Sequence, residues 1–287
     1  MAMGKGQIVA GVDRLEGTLS VRVLGSSSGL PSASRDTTSL LVGSSDDWTL
    51  VDCPGSVVHK LARLGISPGQ LRRLILTHSH VDHVYGLPHL LHALAVAGKN
   101  ENLSLHAPGQ TLATVRDMVA THSLEGPRYP RLQMKPIAMH EGTVIVDDGR
   151  MRIEATPARH GRDTVALRFE IDGIAVCLSS DTCACAAVTV LARHAQLLIH
   201  DCAGPHRLRD GFGGDHSSAL EAARAATDAA ARNLVLIHLG PEAESALGEM
   251  LAEARAAFSG PVVVAADGDE YRVSKGLIEG LVETRNS

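Results

Sequence analysis

Five short apolar runs in this chain end in histidine or aspartate, and that recurrence limits the architectures open to it. The run "LILT" leads to His78, "AVCLSS" to Asp181, "LLI" to His200 and Asp201, and "LVLI" to His238. The β-type run "RIEATPA" leads to His160. In open α/β sheets the carboxyl ends of strands line the ligand crevice. Polar residues placed there by chance would vary in type, whereas these are nearly all His and Asp. The pattern predicts one site assembled from distant segments at the ends of buried strands.

Strands are expected at Leu19–Leu24, Ser39–Val42, Trp48–Asp52, Leu71–Thr77, Leu103–His106, Thr143–Val146, Met151–Ala155, Val165–Ile171, Ile174–Ser179, Leu197–His200, Leu234–His238 and Pro261–Ala265. Helical periodicity is clearest over Val84–Ala97, Gln110–His122, Val188–His194, Ser218–Arg232 and Ala243–Phe258. Ser218 and Glu221 read as a capping box opening the fourth of these. Strands and helices interleave in both halves, which predicts an α/β class with two sheets and outer helices. The 287 residues are 44% hydrophobic, enough for a substantial core, and no composition break, repeat or long linker divides them. One domain over residues 1–287 is expected.

A net charge of −5 and only 2% aromatic residues are a poor start for a nucleic-acid binder, which usually needs a basic face and rings for stacking. The five cysteines include no CxxC pair, and reduced thiols in a cytoplasmic protein are expected. Cys183-Ala-Cys185 lacks matching cysteines for a thiolate metal site. The N-terminal "MAMGKGQIVAGVDRLEG" has no apolar core of a secretion signal, and no run approaches the ~18 apolar residues of a membrane span.

The densest stretch is "LILTHSHVDHVYGLPHLL", Leu74 to Leu91. In His78-Ser79-His80, alternate side chains of an extended segment point to one side, so two imidazoles can share one metal ion. Asp82 and His83 cannot both point that way and suit a second ion; they sit where a helix begins, and its dipole favours a carboxylate. His160 and His238 are the natural completions, and Asp181 can bridge. Two divalent ions ~3.5–4 Å apart share a water, lower its pKa and stabilise charge on substrate oxygens, which is hydrolytic chemistry. Imidazole and carboxylate donors without thiolate suit zinc best, with manganese or iron possible.

"THSHVDH" resembles the HxHxDH signature of the metallo-β-lactamase superfamily, which implies a four-layer αβ/βα sandwich of two mixed β-sheets. The similarity runs nearly end to end with the ribonuclease Z-like branch. It covers the Gly/Ser loop "LGSSSGLPSASRDTTSLLV", the "LVDCPG" turn with Pro54 in place of the usual glycine, "ARHG", "LSSDT", "LIHDC", "HSSALEAA" and "LVLIHLGP". The resemblance implies that one ion takes His78, His80 and His160, that the other takes Asp82, His83 and His238, and that Asp181 bridges. It adds His216 as proton donor to the leaving group, so that Asp82, His216 and Asp201 make up the catalytic set. His216 lies two residues before a capped helix, where backbone N–H groups attract an anion such as phosphate. Asp201 is expected to orient His216, and Asp52 to orient a ligand or the motif loop.

The expected reaction is phosphodiester cleavage by a metal-bridging hydroxide. Short-form ribonuclease Z enzymes insert a tRNA-gripping arm between the third-motif histidine and the bridging aspartate. Here that interval, His160 to Asp181, holds only the hairpin-sized "GRDTVALRFEIDGIAVCLSS". Its shortness, the acidic balance and the scarce aromatics weigh against nucleic acid as partner and set a small or cyclic phosphodiester beside RNA 3′ processing. A carboxylic ester, lactone or thioester is the alternative substrate, a non-catalytic metal-binding effector the second alternative, and a homodimer fits the branch.

Other features carry blander expectations. His89 and His92 should form the solvated face of a helix, His200 should be structural, Trp48 should lie in the core, and Gly25–Gly29 should make a tight turn near the site. His106, His122, His140, His194 and His206 have no supporting context, and the Ala-rich segment Ala219–Ala231 reads as a packing helix.

Overall fold

Strict alternation explains why so many strands here are apolar without interruption. In β2 (Ser39–Ser44), Leu40 and Val42 face one buried cluster while Leu41 faces another; in β12 (Leu234–Ile237), Val235 and Ile237 face the first and Leu234 and Leu236 a third. Strands read this way when both faces of their sheet are covered. The structure, a computed structural model, describes residues 17–44 and 47–280; residues 1–16 of the N-terminal stretch considered above lie outside the described residues.

The first sheet is built from β1 (Leu19–Gly25), β2, β3 (Asp47–Val51), β4 (Leu71–Ile75), β5 (Leu103–Pro108), β6 (Leu132–Ile137), β14 (Glu270–Val273) and β15 (Ile278–Glu279). Their order is β15-β14-β1-β2-β3-β4-β5-β6, antiparallel as far as β3 and parallel from β3 to β6. The second sheet is built from β7 (Thr143–Asp147), β8 (Arg152–Pro157), β9 (Val165–Ile171), β10 (Ile174–Leu178), β11 (Leu197–Asp201), β12 and β13 (Val262–Val264). Its order is β13-β12-β11-β10-β9-β8-β7, parallel from β13 to β10 and antiparallel beyond.

The inner faces of the two sheets meet in one core, with Leu19, Val21 and Val42 against Phe169, Val176, Ile199 and Val235. Helices α1 (Val57–Arg63), α3 (Leu87–Val96) and α4 (Gly109–Thr121) cover the first sheet through Leu61, Leu90, Leu94, Leu112 and Val115. Helices α6 (Ala219–Asp228) and α7 (Leu247–Ala257) cover the second through Ala222, Ala223, Ala226, Met250 and Ala254. The short α5 (Ala186–Leu191) adds Val188 and Leu191 over Ala166. This is the expected sandwich, helix–sheet–sheet–helix. Each such fully buried Leu, Val or Phe stabilises it by roughly 1.5–3 kcal/mol before entropy is counted.

The structure differs from the expected elements where local chemistry overrides periodicity. The helix expected over Val84–Ala97 is two pieces, α2 (Val81–Val84) and α3. Gly86 breaks it: its N–H donates to Cys53 O at 2.9 Å, and a Cβ there would lie 1.8 Å from the Pro54 carbonyl. The fourth helix ends four residues earlier than Arg232, because Ala230 turns left-handed at φ 50°. Ala230 N–H then bonds Thr227 O and Ala231 N–H bonds Ala226 O, the pairing of a Schellman cap. α1, β6, β14 and β15 were not expected; β6 is a half-exposed edge strand interrupted by Pro136. Trp48 is buried as expected. No helix among the described residues is long and apolar enough to cross a membrane.

Candidate functional site

The carboxyl ends of β3 and β4 in one sheet and of β10, β11 and β12 in the other open on the same end of the sandwich. The sheets are stitched together there, since Val165 N–H donates to Thr77 O and Leu239 N–H to Ser26 O. Past β4 the chain runs extended through His78 and His80, and α2 then raises Asp82 and His83 in its single turn. His160 follows β8, Asp181 follows β10 and His238 follows β12 directly. Three residues in these turns, Asp52, Ser180 and His238, take left-handed backbone angles of φ 59°, 56° and 64°. Such conformations are strained for non-glycine residues and persist where the surroundings impose them. Each turns the chain sharply at a strand end.

All seven residues expected as ligands come together. Asp181 Oδ2 lies 3.3 Å from His83 Nε2, 3.3 Å from His238 Nε2, 3.6 Å from His78 Nε2 and 4.0 Å from His160 Nε2. His80 Nδ1 is 3.0 Å from both His78 Nε2 and His160 Nε2, and Asp82 Oδ2 is 3.4 Å from His83 Nε2. Three overlapping groups have donor atoms within 4.8 Å of one another: His78, His80, His160 and Asp181; Asp82, His83 and His238; and Asp181, His216 and His238.

The far side of each ring settles which nitrogen faces inward. His83 Nδ1 donates to Asp52 Oδ2 at 2.8 Å, and His160 Nδ1 donates to the Asp215 carbonyl at 3.0 Å. Thr77 Oγ1 gives its proton to Asp52 Oδ2, so at 3.1 Å it accepts from His78 Nδ1. Thr38 Oγ1 gives its proton to Ser27 O, so at 3.0 Å it accepts from His238 Nδ1. Four rings therefore hold Nδ1 as donor on the far side and turn Nε2 into one space, an orientation assigned from the hydrogen-bond network. Nitrogens and carboxylates gathered this closely need a proton or a cation between them.

Charge and satisfaction agree with that geometry. His83 Nε2 is buried and has no hydrogen-bond partner, although two carboxylate oxygens lie within 3.4 Å. Burial alone would lower the pKa of His83, yet Asp181 and Asp52 raise it well above the ordinary range. Burial would raise Asp181, yet His238 and His83 hold it well below its ordinary value. Burial, then His83, pushes His78 down to about 2, so it remains neutral. Ionised carboxylates beside imidazoles, with the His83 proton in the position a cation would take, are a donor set that fits divalent cations.

His216 stands beside this cluster, its ring stacked on His238 at a centroid distance of 5.0 Å and 5.1 Å from His160. Its Nδ1 donates to Asp201 Oδ2 at 3.0 Å, and the same oxygen accepts Thr182 N–H at 2.9 Å. Burial opposes protonation of His216, but the bond to Asp201 raises its pKa to about 9. Ser218 and Glu221 form the expected capping box two residues on. His200 points elsewhere, buried and bonded to Asp201 O, while His89 and His92 are exposed. The Gly25–Gly29 segment is at the site: Ser28 N–H donates to Leu239 O, and a Cβ on Gly29 would lie 3.3 Å from Asp82 Oδ2. Among the residues that sequence reasoning missed, Thr77 sits inside the quoted motif; Thr38 carries no local signal, since only the pairing of the two sheets brings it to His238.

A cavity of about 610 Å³ opens over the cluster, lined by His80, Asp82, Asp181, His216 and His238 at its base and by Leu30, Leu208, Phe212 and Pro241 among its walls.

Comparison with known proteins agrees with this arrangement. A family model described as "Beta-lactamase superfamily domain" matches residues 47–239, about two thirds of the chain. A ribonuclease Z of Synechococcus sp. (strain WH7803) is 29% identical over 305 residues, covering 85% of this chain and 94% of the relative. Among solved structures, the metallo-beta-lactamase fold protein YhfI from Bacillus subtilis superposes with a TM-score of 0.76 at 25% identity, over 90% of this chain and 100% of its own. The short form of human tRNase Z gives a TM-score of 0.74 over 88% of this chain and 98% of its own; at 19% identity it speaks for the fold alone.

Proposed function

Because the chain belongs to the beta-lactamase superfamily, we propose that it is a metal-dependent hydrolase of phosphodiesters, acting as one unit over residues 1–287. One ion would be held by His78, His80 and His160 and a second by Asp82, His83 and His238, with Asp181 between them. Zinc suits these donors best. When bound, such ions polarise a phosphoryl oxygen and bring the pKa of a water towards neutrality.

The observation that carries the reading is the pair His216 and Asp201. An alkoxide leaving phosphorus needs a proton, and a positioned imidazolium that supplies it accelerates cleavage by roughly 10²–10⁴-fold. Asp201 keeps the proton on His216 and fixes the ring beside the cluster. Thr182 N–H and the buried setting of Asp201 hold the carboxylate in turn. Asp52, Thr77, Thr38 and the Asp215 carbonyl keep the ring tautomers, so the donor set is in place before substrate arrives.

Between His160 and Asp181 the chain forms only the β9–β10 hairpin, turning at Asp172 and Gly173. That favours a small or cyclic phosphodiester over RNA 3′ processing. We place the protein in the cytoplasm, on five free cysteines of which Cys53, Cys177 and Cys202 are buried thiols. The test is a comparative assay of zinc-loaded protein on bis(p-nitrophenyl) phosphate, a tRNA precursor, and panels of lactones and thioesters. Turnover of phosphodiesters with an alkoxide leaving group that falls sharply in His216→Ala, with bis(p-nitrophenyl) phosphate much less affected, supports the reading, and turnover confined to the carbonyl substrates overturns it.

A further inference from the structure

The cavity above the cluster is unlike a groove made for a polyanion. Neither lysine nor arginine lines it among the described residues. The arginines on its Leu208–Phe212 wall are already engaged, Arg207 with Glu249 at 3.0 Å and Arg209 with Glu221 at 2.6 Å. Arg35, behind the Leu30 wall, is paired with Glu244 at 3.3 Å. Arg159 and Arg162, which flank His160, are exposed but do not border the cavity. A protein that grips successive phosphates needs free cations beside the scissile one.

The walls are apolar and fixed. Leu30 stands 62% exposed at the mouth, on a loop held by Ser32 and Ser34 donating to Glu244. Facing surfaces come from Leu208 and Phe212, in a segment tied down where His206 N–H donates to Glu253 at 2.8 Å, and from Pro241 in the loop after β12. Asp82 and Asp181 at the base contact imidazoles. Glu242 is different: it borders the same cavity, is exposed, and has no ion pair among the described residues. A free carboxylate there accepts hydrogen bonds from hydroxyl or amino groups and repels a second anion.

We propose that Glu242, with the apolar walls, is a specificity-determining residue that selects a phosphodiester whose flanking group is uncharged and hydrogen-bond-donating, such as a nucleoside, and rejects one that carries a second phosphate. The inference rests on the phosphodiesterase reading of the same site and adds its substrate class. The volume fits one such group, since small-molecule pockets run ~300–1,000 Å³.

A matched pair of substrates tests it: thymidine 5′-(p-nitrophenyl phosphate) and the same compound bearing a 3′-phosphate, assayed with zinc-loaded protein. The wild type is expected to prefer the first in kcat/KM. Glu242→Gln narrows that preference on the order of tenfold, the effect of one unit charge several ångströms away at a partly exposed site. Glu242→Lys erases or reverses it. Calorimetric binding of thymidine 5′-phosphate against thymidine 3′,5′-bisphosphate should shift in the same sense, independently of turnover. Equal wild-type rates on both substrates, or a preference untouched by both variants, overturns the role of Glu242 and leaves phosphodiester chemistry standing. Failure to cleave either compound, together with carbonyl-ester turnover, overturns both readings.

Discussion

The hydroxyl of Thr38 lies 3.0 Å from His238 Nδ1 and gives its own proton to the Ser27 carbonyl at 2.8 Å. One hydroxyl thereby fixes the tautomer of a ring that belongs to the other sheet. Thr38→Val removes the acceptor while keeping the shape, and is expected to weaken the affinity for one metal ion by roughly 10–100-fold. Thr38→Ser should restore binding to near the wild-type value. Competition against a chromophoric chelator measures both, and equal affinities in the two variants would count against the tautomer argument.

Asp201→Asn keeps the hydrogen-bond geometry of its side chain but removes the charge that raises His216 to about 9. Loss of turnover should scale with the basicity of the leaving group. A substrate that releases a ribose or methyl alkoxide should slow by roughly 10²–10⁴-fold, and one that releases p-nitrophenolate far less. A uniform loss across leaving groups would assign Asp201 to folding rather than to proton delivery.

His106 supplies a pH effect whose causes lie outside the cluster. It is buried on β5 with Nε2 against Ser104 Oγ at 2.9 Å, and burial, Lys135 and Arg73 push it down to about 4. Its unfolded value is ~6.5, so the unfolded chain binds the proton first as pH falls. The stability that depends on neutral His106 is complete above pH ~6.5 and is lost towards pH 4. In urea unfolding at matched zinc loading, the wild-type minus His106→Gln difference should therefore shrink between pH 7 and pH 5. A pH-independent difference would refute it.

Ala230 holds the left-handed position of the Schellman cap of α6, where a Cβ is strained and glycine is not. Its methyl is exposed, so Ala230→Gly loses no buried contact. The variant should gain roughly 0.5–1 kcal/mol, visible as a higher melting temperature.

Gly86 predicts the opposite sign. A methyl 1.8 Å from the Pro54 carbonyl forces the α2–α3 break apart, and Gly86→Ala should cost about 1–3 kcal/mol or more. Metal content should fall with it, because α2 carries Asp82 and His83.

Much of this could be read before any coordinates. His78, His80, Asp82 and His83 announced themselves by spacing, and Asp181 and His238 by following apolar runs, because a strand that is buried on both faces has few places for polar residues except its end; His160 follows the half-exposed β8, where the signal was weaker. The capping box at Ser218 and Glu221 was legible for the same reason: its signal is local. What escaped was non-local. The break at Gly86 depends on a carbonyl from the preceding turn, and Thr38 depends on which strands the two sheets bring together. The paired arginines around the cavity depend on helices that lie far off in the chain. α1 and β14 were too short to show a period.

The stitching of Thr77 to Val165 and of Ser26 to Leu239 has a consequence for how the protein matures. Neither half of the polypeptide can chelate as the whole does, because His78, His80 and His83 arrive with one layer and His160, Asp181 and His238 with the other. Ion capture is thus a late event in biogenesis, a clasp that shuts only after the halves have docked and that thereafter resists their parting.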